Sequence, residues 1–500
     1  MDPKVINSFK PYQGTVDVIK GGRFECDKNK GHHDKVIDDL NKALDQLPLC
    51  DGMTLSFHHH LRDGDHVLNM IMTNIAQRGY KNITLVVSSL FPVHAPLIDM
   101  IKQQIVTKIY AAYIAKEIGI VISQGYLRDG CIMHTHGYRA TMLIQKEVII
   151  DIAFLAAPST DQAGNATGSE GITSCGVLGY AIADAQMAKH VVLISDTIQD
   201  VRKPEIRAEW VDMVIKVDAI GDPKGIVSGT TTITKDPVGL LIAKRTADFV
   251  EAAGLLKDGF SFQTGAGGIS LALVQEIYKR CQTQHIKGSF ASGGTTKFLV
   301  DMLEKGYLKN IYDVQCFDLD AVRSVKNNPA HIKISAQEYA DITYKDNIVC
   351  KLDFVVLGAT EIDTSYNVNV TTGSDGIIMG GSGGHADTAY GAKMTIIVSK
   401  LVSSRLSVIV DQITTITTPK ETVDVLITER GIAIHPRHQE LIDHLKATTS
   451  LPIMDIKTLY DIAIKMTGIP NKIKHTDKVV GVSLYSDGTL LDTIHQIKED

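Results

Sequence analysis

The sequence lacks the features that would mark a membrane, a disulfide framework or a nucleic-acid surface. It has no uninterrupted apolar run of the roughly 18 residues that a spanning helix needs. Its most apolar stretch, Val148 to Ala157, is broken by Asp151. The opening residues Met1-Asp2-Pro3-Lys4-Val5 carry no apolar signal segment. Seven cysteines stand apart at 26, 50, 131, 175, 281, 316 and 350, without a CxxC pair. That odd, scattered set reads as reduced thiols of a cytoplasmic protein. Proline is scarce, 14 of 500 residues, which argues against a long low-complexity region. No Lys/Arg run exceeds a pair and the formal charge is −6, so a broad basic face for nucleic acid is disfavoured. A local basic pocket for an acidic ligand stays open.

What is present is a chain written twice. Five hundred residues predict at least two domains. Ile150 to Ala157, followed by Asp161 to Asn165, matches Leu352 to Ala359, followed by Asp363 to Asn367, with Asp151 on Asp353, Leu155 on Leu357 and Asn165 on Asn367. Gly168 to Ile172 matches Gly373 to Ile377, Asp51-Gly52 matches Asp258-Gly259, and Val191 to Ile194 resembles Ser407 to Val410. The repeat is too long for a solenoid unit and predicts two related domains, 1–230 and 231–500, divided in the polar stretch Ser228 to Asp236. Asn82 to Val87 reads as a strand. Ala95 to Ile118 reads as a helix, with Leu97, Ile98, Ile101, Ile105 and Ile109 on one face. Continuous apolar runs at Val148–Ala157 and Asp353–Ala359 suit strands buried on both faces of a mainly parallel sheet. The fold class is α/β, built twice.

Three local signals carry chemistry. Gln263-Thr264-Gly265-Ala266-Gly267-Gly268-Ile269 joins a strand to a helix, where glycines admit a ligand to the backbone and the helix N-terminus offers free N–H groups. A plain strand–helix turn is the alternative. A dinucleotide fingerprint is weaker, because Ser270 replaces the third glycine and no acid occurs from Ile277 to Val300. Gly373 to Gly384 holds six glycines in twelve residues and suits a loop whose amides line a site. The segments Phe57-His58-His59-His60-Leu61-Arg62 and His134-Thr135-His136-Gly137-Tyr138-Arg139 suit a cationic, donor-rich pocket for carboxylates. Satisfied structural histidines are the plainer alternative, and no zinc spacing such as HExxH occurs, so no metal is expected. A GxSxG elbow is also absent.

Together these segments resemble the citrate lyase α-subunit family within the wider coenzyme A-transferases. The carriers are DGMTLSFHHHLRDGD at 51–65, HTHGYRA at 134–140, IDIAFLAAPSTDQAGNATG at 150–168, FQTGAGGISLA at 262–272, the glycine-rich block at 357–393 and ITTPKETVDVLITERGIAI at 416–434. The resemblance implies two α/β domains with the active site between them, an acyl-carrier-protein (γ) subunit and a lyase (β) subunit as partners, and no cofactor held by this chain. The implied reaction is acetyl-S-carrier plus citrate giving citryl-S-carrier plus acetate. The phosphopantetheine-type group belongs to the carrier, with coenzyme A as its stand-in.

The sequence departs from the broader superfamily at one point. Many of those transferases use a glutamate on the strand after the QTGxGG helix, a position that aligns on or beside Ser289, and no carboxylate lies between Glu276 and Asp301. A glutamyl thioester there is excluded, and the resemblance to the citrate lyase branch implies attack by citrate itself through a mixed anhydride in a ternary complex. Expected roles follow. Gly265, Ala266, Gly267, Gly268 and Ile269 hold the thioester arm. Gly380, Gly381, Gly383 and Gly384 supply oxyanion donors. His58, His60, Arg62, His134, His136, Arg139 and, more weakly, Arg430 take citrate carboxylates. Glu361 orients a donor or acts as an alternative nucleophile. Competing readings are an acetyl-CoA hydrolase, a glutamate-dependent CoA-transferase, a citramalate lyase α subunit and a non-catalytic scaffold.

Overall fold

The computed structural model describes residues 1–15, 21–227, 232–471 and 473–498. The expected division between 230 and 231 therefore lies outside the described residues. In the first half the sheet strands are β1 (Val36–Ile37), β2 (Thr54–His58), β3 (Ile83–Val87), β4 (Val106–Ala111), β5 (Gly130–Met133), β6 (Ile152–Ala156), β7 (His190–Ser195) and β8 (Met213–Lys216). They run parallel in the order β1-β8-β7-β6-β2-β3-β4-β5. In the second half they are β9 (Ser261–Thr264), β10 (Gly288–Thr295), β11 (Leu308–Cys316), β12 (His331–Lys333), β13 (Phe354–Gly358), β14 (Thr395–Val398), β15 (Val425–Ile427) and β16 (Ile432–Ile434). Their order is β12-β11-β10-β9-β13-β14-β15-β16, parallel except at the last pair. All five residues of β6 are buried, as expected of a strand covered on both faces.

The two sheets share one strand order, and the repeated acids explain why. Asp151 Oδ2 accepts the Thr54 N–H at 2.9 Å and Oδ1 pairs with Lys189 at 2.7 Å. Asp353 repeats this with Ser261 N–H at 2.9 Å and Lys393 at 2.8 Å. Asp161 Oδ1 accepts the Asn165 N–H at 2.8 Å, and Asp363 Oδ1 accepts that of Asn367 at 2.9 Å. Each acid satisfies amides at a strand or turn end that would otherwise be orphaned. The repeat is therefore one of hydrogen-bond geometry.

Three expectations need correction. The equivalent of Val191–Ile194 is β14, which lies against β13 as β7 lies against β6; Ser407–Val410 falls in short strands that follow. The segment Ala95–Ile118 is not one helix. Helix Leu97–Lys102 ends as Gln104 turns to φ +59°, and Ile105 and Ile109 belong to the approach and interior of β4. Their shared face in helical projection has no counterpart, because β-branched residues recur at the right spacing in a strand as well. Finally, the antiparallel hairpin β17 (His475–Leu484) and β18 (Leu490–Ile497) pairs with β5, so the end of the chain completes the first sheet and not the second. It covers an edge that β5 would otherwise leave open.

Five helices position the site: α1 (His136–Ile144), α2 (Ala181–Met187), α3 (Gly268–Gln284), α4 (Ala336–Ala340) and α5 (His385–Gly391). Replacing Asp353 by alanine strands the Ser261 amide and should cost about 1–3 kcal/mol. Asp151→Ala should cost a similar amount in the other sheet. Urea unfolding midpoints check this, and a cost at only one of the two positions would contradict the equivalence.

Candidate functional site

The carboxyl ends of the two sheets meet, and they meet by exchange of loops. The His136 amide after β5 donates to Gly383 O at 2.8 Å, and Gly383 donates in turn to Ala112 O at 3.0 Å. The Ala336 amide after β12 donates to Gly179 O at 3.0 Å. Between these contacts α1 crosses α4 closely: a Cβ on Gly137 would lie 2.1 Å from Ala340 O. Thr141 Oγ1 donates to Asp341 at 2.7 Å.

Both histidine segments lie at this seam. β2 ends at His58, and the chain bends into a 3-10 turn, Arg62–Gly64. Arg62 has φ +57°, a conformation uncommon outside glycine. Its guanidinium sits 4.2 Å from the Phe317 ring of the second half and 5.5 Å from Phe91. Thr135 caps α1 by accepting the Tyr138 N–H at 3.0 Å, which sets His134, His136 and Arg139 at the helix entrance.

Asp184 of α2 joins the two segments. Its Oδ2 lies 2.8 Å from His58 Nε2, and its Oδ1 accepts from Arg139 Nη2 at 2.7 Å and from the Ser56 hydroxyl. Burial would raise the Asp184 carboxyl, but Arg139 and then His58 hold it below the usual carboxylate range. Arg139 is thereby neutralised. Arg62 has no ion-pair partner among the described residues; burial lowers it to about 10, which leaves it a cation at neutral pH.

The histidines are not cationic, and this corrects the sequence expectation. Burial lowers His134 and His136 to about 3, and pushes His58 below and His60 well below the ordinary range. Hydrogen bonding also fixes two tautomers. His58 Nε2–H faces Asp184, and His134 Nδ1–H donates to Thr135 O at 2.8 Å. The bare nitrogens, His58 Nδ1 and His134 Nε2, have no partner. Nor do both ring nitrogens of His60, His136 Nδ1, Arg62 Nη1 or Arg139 Nη1, all buried. Interiors leave few such atoms, so their concentration in two adjoining segments marks a polar ligand site. The His58 and His60 rings stack at 5.8 Å, and Arg139 Nη2 is 3.3 Å from His58 Nε2. His136 lies 4.4 Å from Tyr180, between ring centroids.

Comparison with known proteins now decides the family. The model of the family described as citrate lyase, alpha subunit, matches residues 33–497. The chain belongs to that family. It is 43% identical over 467 residues to the citrate lyase alpha chain of Haemophilus influenzae, covering 93% of each. It is 43% identical over 472 residues to that of Escherichia coli K12, covering 94% of this chain and 92% of the other. A Streptococcus mutans protein described as an alpha subunit of citrate lyase, crystallised in complex with citrate, superposes with a TM-score of 0.92 at 40% identity over 100% of this chain and 99% of its own. A malonate decarboxylase alpha subunit from Acinetobacter baumannii shares the fold alone, with a TM-score of 0.61 at 16% identity over 88% and 92%. The citrate lyase alpha chains are transferase subunits.

Other expected residues fall differently. Gly267 caps α3 with no side-chain hydrogen bond, and a Cβ there would meet nothing within 4 Å. Gly265 is nearly as open, whereas a Cβ on Gly268 would crowd Thr232 O and Thr234 N at 2.9 Å. This turn therefore leaves open backbone at Gly265 and Gly267 while Gly268 packs on the 232–234 segment. The later glycine loop does not supply four oxyanion donors. Gly381 N–H is bound to Val370 O and Gly383 N–H to Ala112 O, each at 3.0 Å. Those glycines serve close approach instead: a Cβ on Gly380, Gly381 or Gly384 would fall 2.2, 2.1 or 2.5 Å from Val370 O, Ala112 O or Tyr339 Oη.

Glu361 is held by Asn369 Nδ2 at 2.9 Å and by the Thr414 N–H and hydroxyl at 2.8 and 3.2 Å. Both its oxygens are thus engaged, and it supports the segment around Thr414. Arg430 is exposed on the β15–β16 turn. Ser289 is the second residue of β10, its hydroxyl donating to Phe260 O at 3.0 Å; the carboxyl end of that strand is Ser292 to Thr295, and carboxylates are absent there too.

His59, Asp65 and His94 form a buried cluster within metal-binding reach of one another. The Phe91 N–H donates to His94 Nδ1 at 2.9 Å, so Nε2 carries the proton and faces Asp65 at 3.1 Å. Metal ligation through Nε2 would set two donors face to face at Nδ1; His94 and Asp65 instead form a hydrogen-bonded pair under the His58–Arg62 turn, with His59 Nδ1 3.2 Å from the same carboxylate oxygen. Sequence reasoning missed Asp184, Tyr180 and Phe317; the lone acid in the Ala-rich helix Ala181–Met187 was the available signal.

Buried neutral histidines also predict acid lability. Their pKa values are lower in the folded than in the unfolded chain, so their stability contribution is full above about 6.5 and is lost as pH falls toward about 3. Melting temperature should fall through that window, and His134→Gln with His136→Gln should flatten the slope. An unchanged slope would contradict the assignment.

Proposed function

We propose that this chain exchanges acetyl for citryl on a carrier-protein thioester, with citrate as the attacking acid. The observation that carries it is Arg62, a buried guanidinium without a carboxylate partner, set among unpartnered histidine nitrogens. A buried cation of this kind is costly unless a bound anion completes it. The citrate-bound S. mutans relative supports citrate as that anion.

Citrate carboxylates are ionised at neutral pH, so attack needs no enzymic base. Arg62 and Arg139 orient the acid, and His60 and His136 complete the contacts. His58 Nδ1 and His134 Nε2 each accept the acid's hydroxyl or take up a proton to bind a carboxylate. Holding the acid beside the thioester can supply up to about 7–11 kcal/mol of the barrier. The partner's phosphopantetheine arm, or coenzyme A in its place, lies along Gly265–Ile269, with its anionic end toward the uncapped start of α3. A citrate carboxylate oxygen bonds to the acetyl carbon and the carrier thiolate leaves. The thiolate then attacks the citryl carbonyl of the anhydride and acetate leaves. The carrier and lyase subunits are the partners of this reading.

Arg62→Ala should lower kcat/KM for citrate by about 10- to 100-fold, the loss of a charged hydrogen bond, with acetyl thioester affinity little changed. Borohydride after incubation with acetyl thioester should leave the chain's mass unaltered. A reduced, mass-shifted Glu361 would overturn the ternary-complex route. Free thiol released without any acid acceptor would favour hydrolysis. Full activity of Arg62→Ala would favour a scaffold.

A further inference from the structure

One buried carboxylate at the seam is used by none of these steps. Asp387 lies in the first turn of α5, directly after the glycine loop, and is fully buried. Its Oδ2 accepts the Gly137 N–H at 2.8 Å, across from the second half to the first. Gly137 lies between His136 and Arg139 in the first turn of α1, so the contact caps the helix that carries them. The other oxygen, Oδ1, has no well-formed hydrogen bond, and no cation pairs with the group among the described residues.

The polar groups that act on it come from both halves. The Thr135 hydroxyl faces it from the start of α1, Asp341 lies beyond α4, and Ser486 follows the end of β17. Tyr180, Tyr339 and Tyr485 also act on it, from the start of α2, from α4 and from the chain just after β17. None is a cation. Burial first, then Asp341, raises the carboxyl to about 6 against the opposing hydrogen bonds. The group is thus a buried acid close to its ionisation midpoint, bonded to the helix start that carries His136 and Arg139.

We propose that Asp387 is a positioning residue for the acid acceptor: it holds the His134–Arg139 segment through Gly137, and citrate is accepted with Asp387 protonated. The inference rests on citrate occupying the seam. Ionised, Asp387 adds a buried negative charge that opposes the acid. Protonated, it keeps Oδ2 as the acceptor for Gly137 and offers a donor at Oδ1. Its protonation therefore links citrate affinity to pH: affinity is full below about pH 6 and declines above it.

The test is KM for citrate from pH 5.5 to 8 in the full chain with acetyl-coenzyme A, for the native protein, Asp387→Asn and Arg62→Ala. Asparagine keeps an acceptor for Gly137 but cannot ionise. The ratio of native to Asp387→Asn KM cancels the titration of citrate itself. It should be near one at pH 5.5 and rise by up to about tenfold per unit above pH 6, with kcat little changed. A ratio that stays flat overturns the proposal. Native KM in Arg62→Ala would instead overturn the seam as the acceptor site. Should Asp387→Asn fail to fold, infrared difference spectra of the native chain at pH 7.5 decide. Citrate should develop a protonated-carboxyl band from the protein, and its absence overturns the inference.

Discussion

Gly383 O receives the His136 amide, and Gly179 O receives the Ala336 amide. Each half of the chain is thus closed by a loop of the other, at equivalent positions of the repeat. This exchange fixes the carboxyl ends of the two sheets against each other. It accounts for the glycines, since Gly381 passes where a Cβ would meet Ala112 O and Gly137 where it would meet Ala340 O. It also dries the seam, which makes the ionisation of every group there a matter of its immediate partners.

Within that frame the halves have parted chemically. The Asp151 and Asp353 anchors make β2 and β9 equivalent strands of the repeat, so His58 and Arg62 of one half correspond to Gly265 and Ile269 of the other. One half presents donors to an acid; the other presents open backbone to an arm. A −6 chain accommodates an anion this way because the relevant field is local. Arg62 is a single unpaired guanidinium, and the surrounding imidazoles are neutral until something at the seam gives them reason to change. Their bare nitrogens make proton movement part of binding, which a pocket of permanent cations would not.

Much of this was legible in the residues. The two-fold writing of the chain, the buried parallel strands and the two histidine segments were visible because repeat, apolar continuity and residue type are local properties. The failures have a common cause. Ile105 and Ile109 fit a helical face but lie at a strand, because the period of β-branched residues is ambiguous until neighbours are known. The hairpin at 475–497 joins the distant sheet because an open edge is a tertiary fact. The histidine charge was misjudged because burial, not composition, sets it, and Asp184, the acid that organises His58 and Arg139, lies 45 residues beyond Arg139 on a helix of unremarkable sequence. The glycine loop was expected to offer oxyanion donors, yet the Gly381 and Gly383 amides are committed to Val370 O and Ala112 O.

The most direct test is nitrogen-15 NMR of labelled histidines at pH 7.5, assigned by single His→Gln variants, with and without saturating citrate. Without citrate, His58, His60, His134 and His136 should be neutral, with His58 protonated on Nε2 and His134 on Nδ1. With citrate, resonances of this set should shift together, His58 Nδ1 and His134 Nε2 taking up a proton or a hydrogen bond. Four imidazoles that stay unchanged while citrate is bound would contradict the seam as the place where the acid sits.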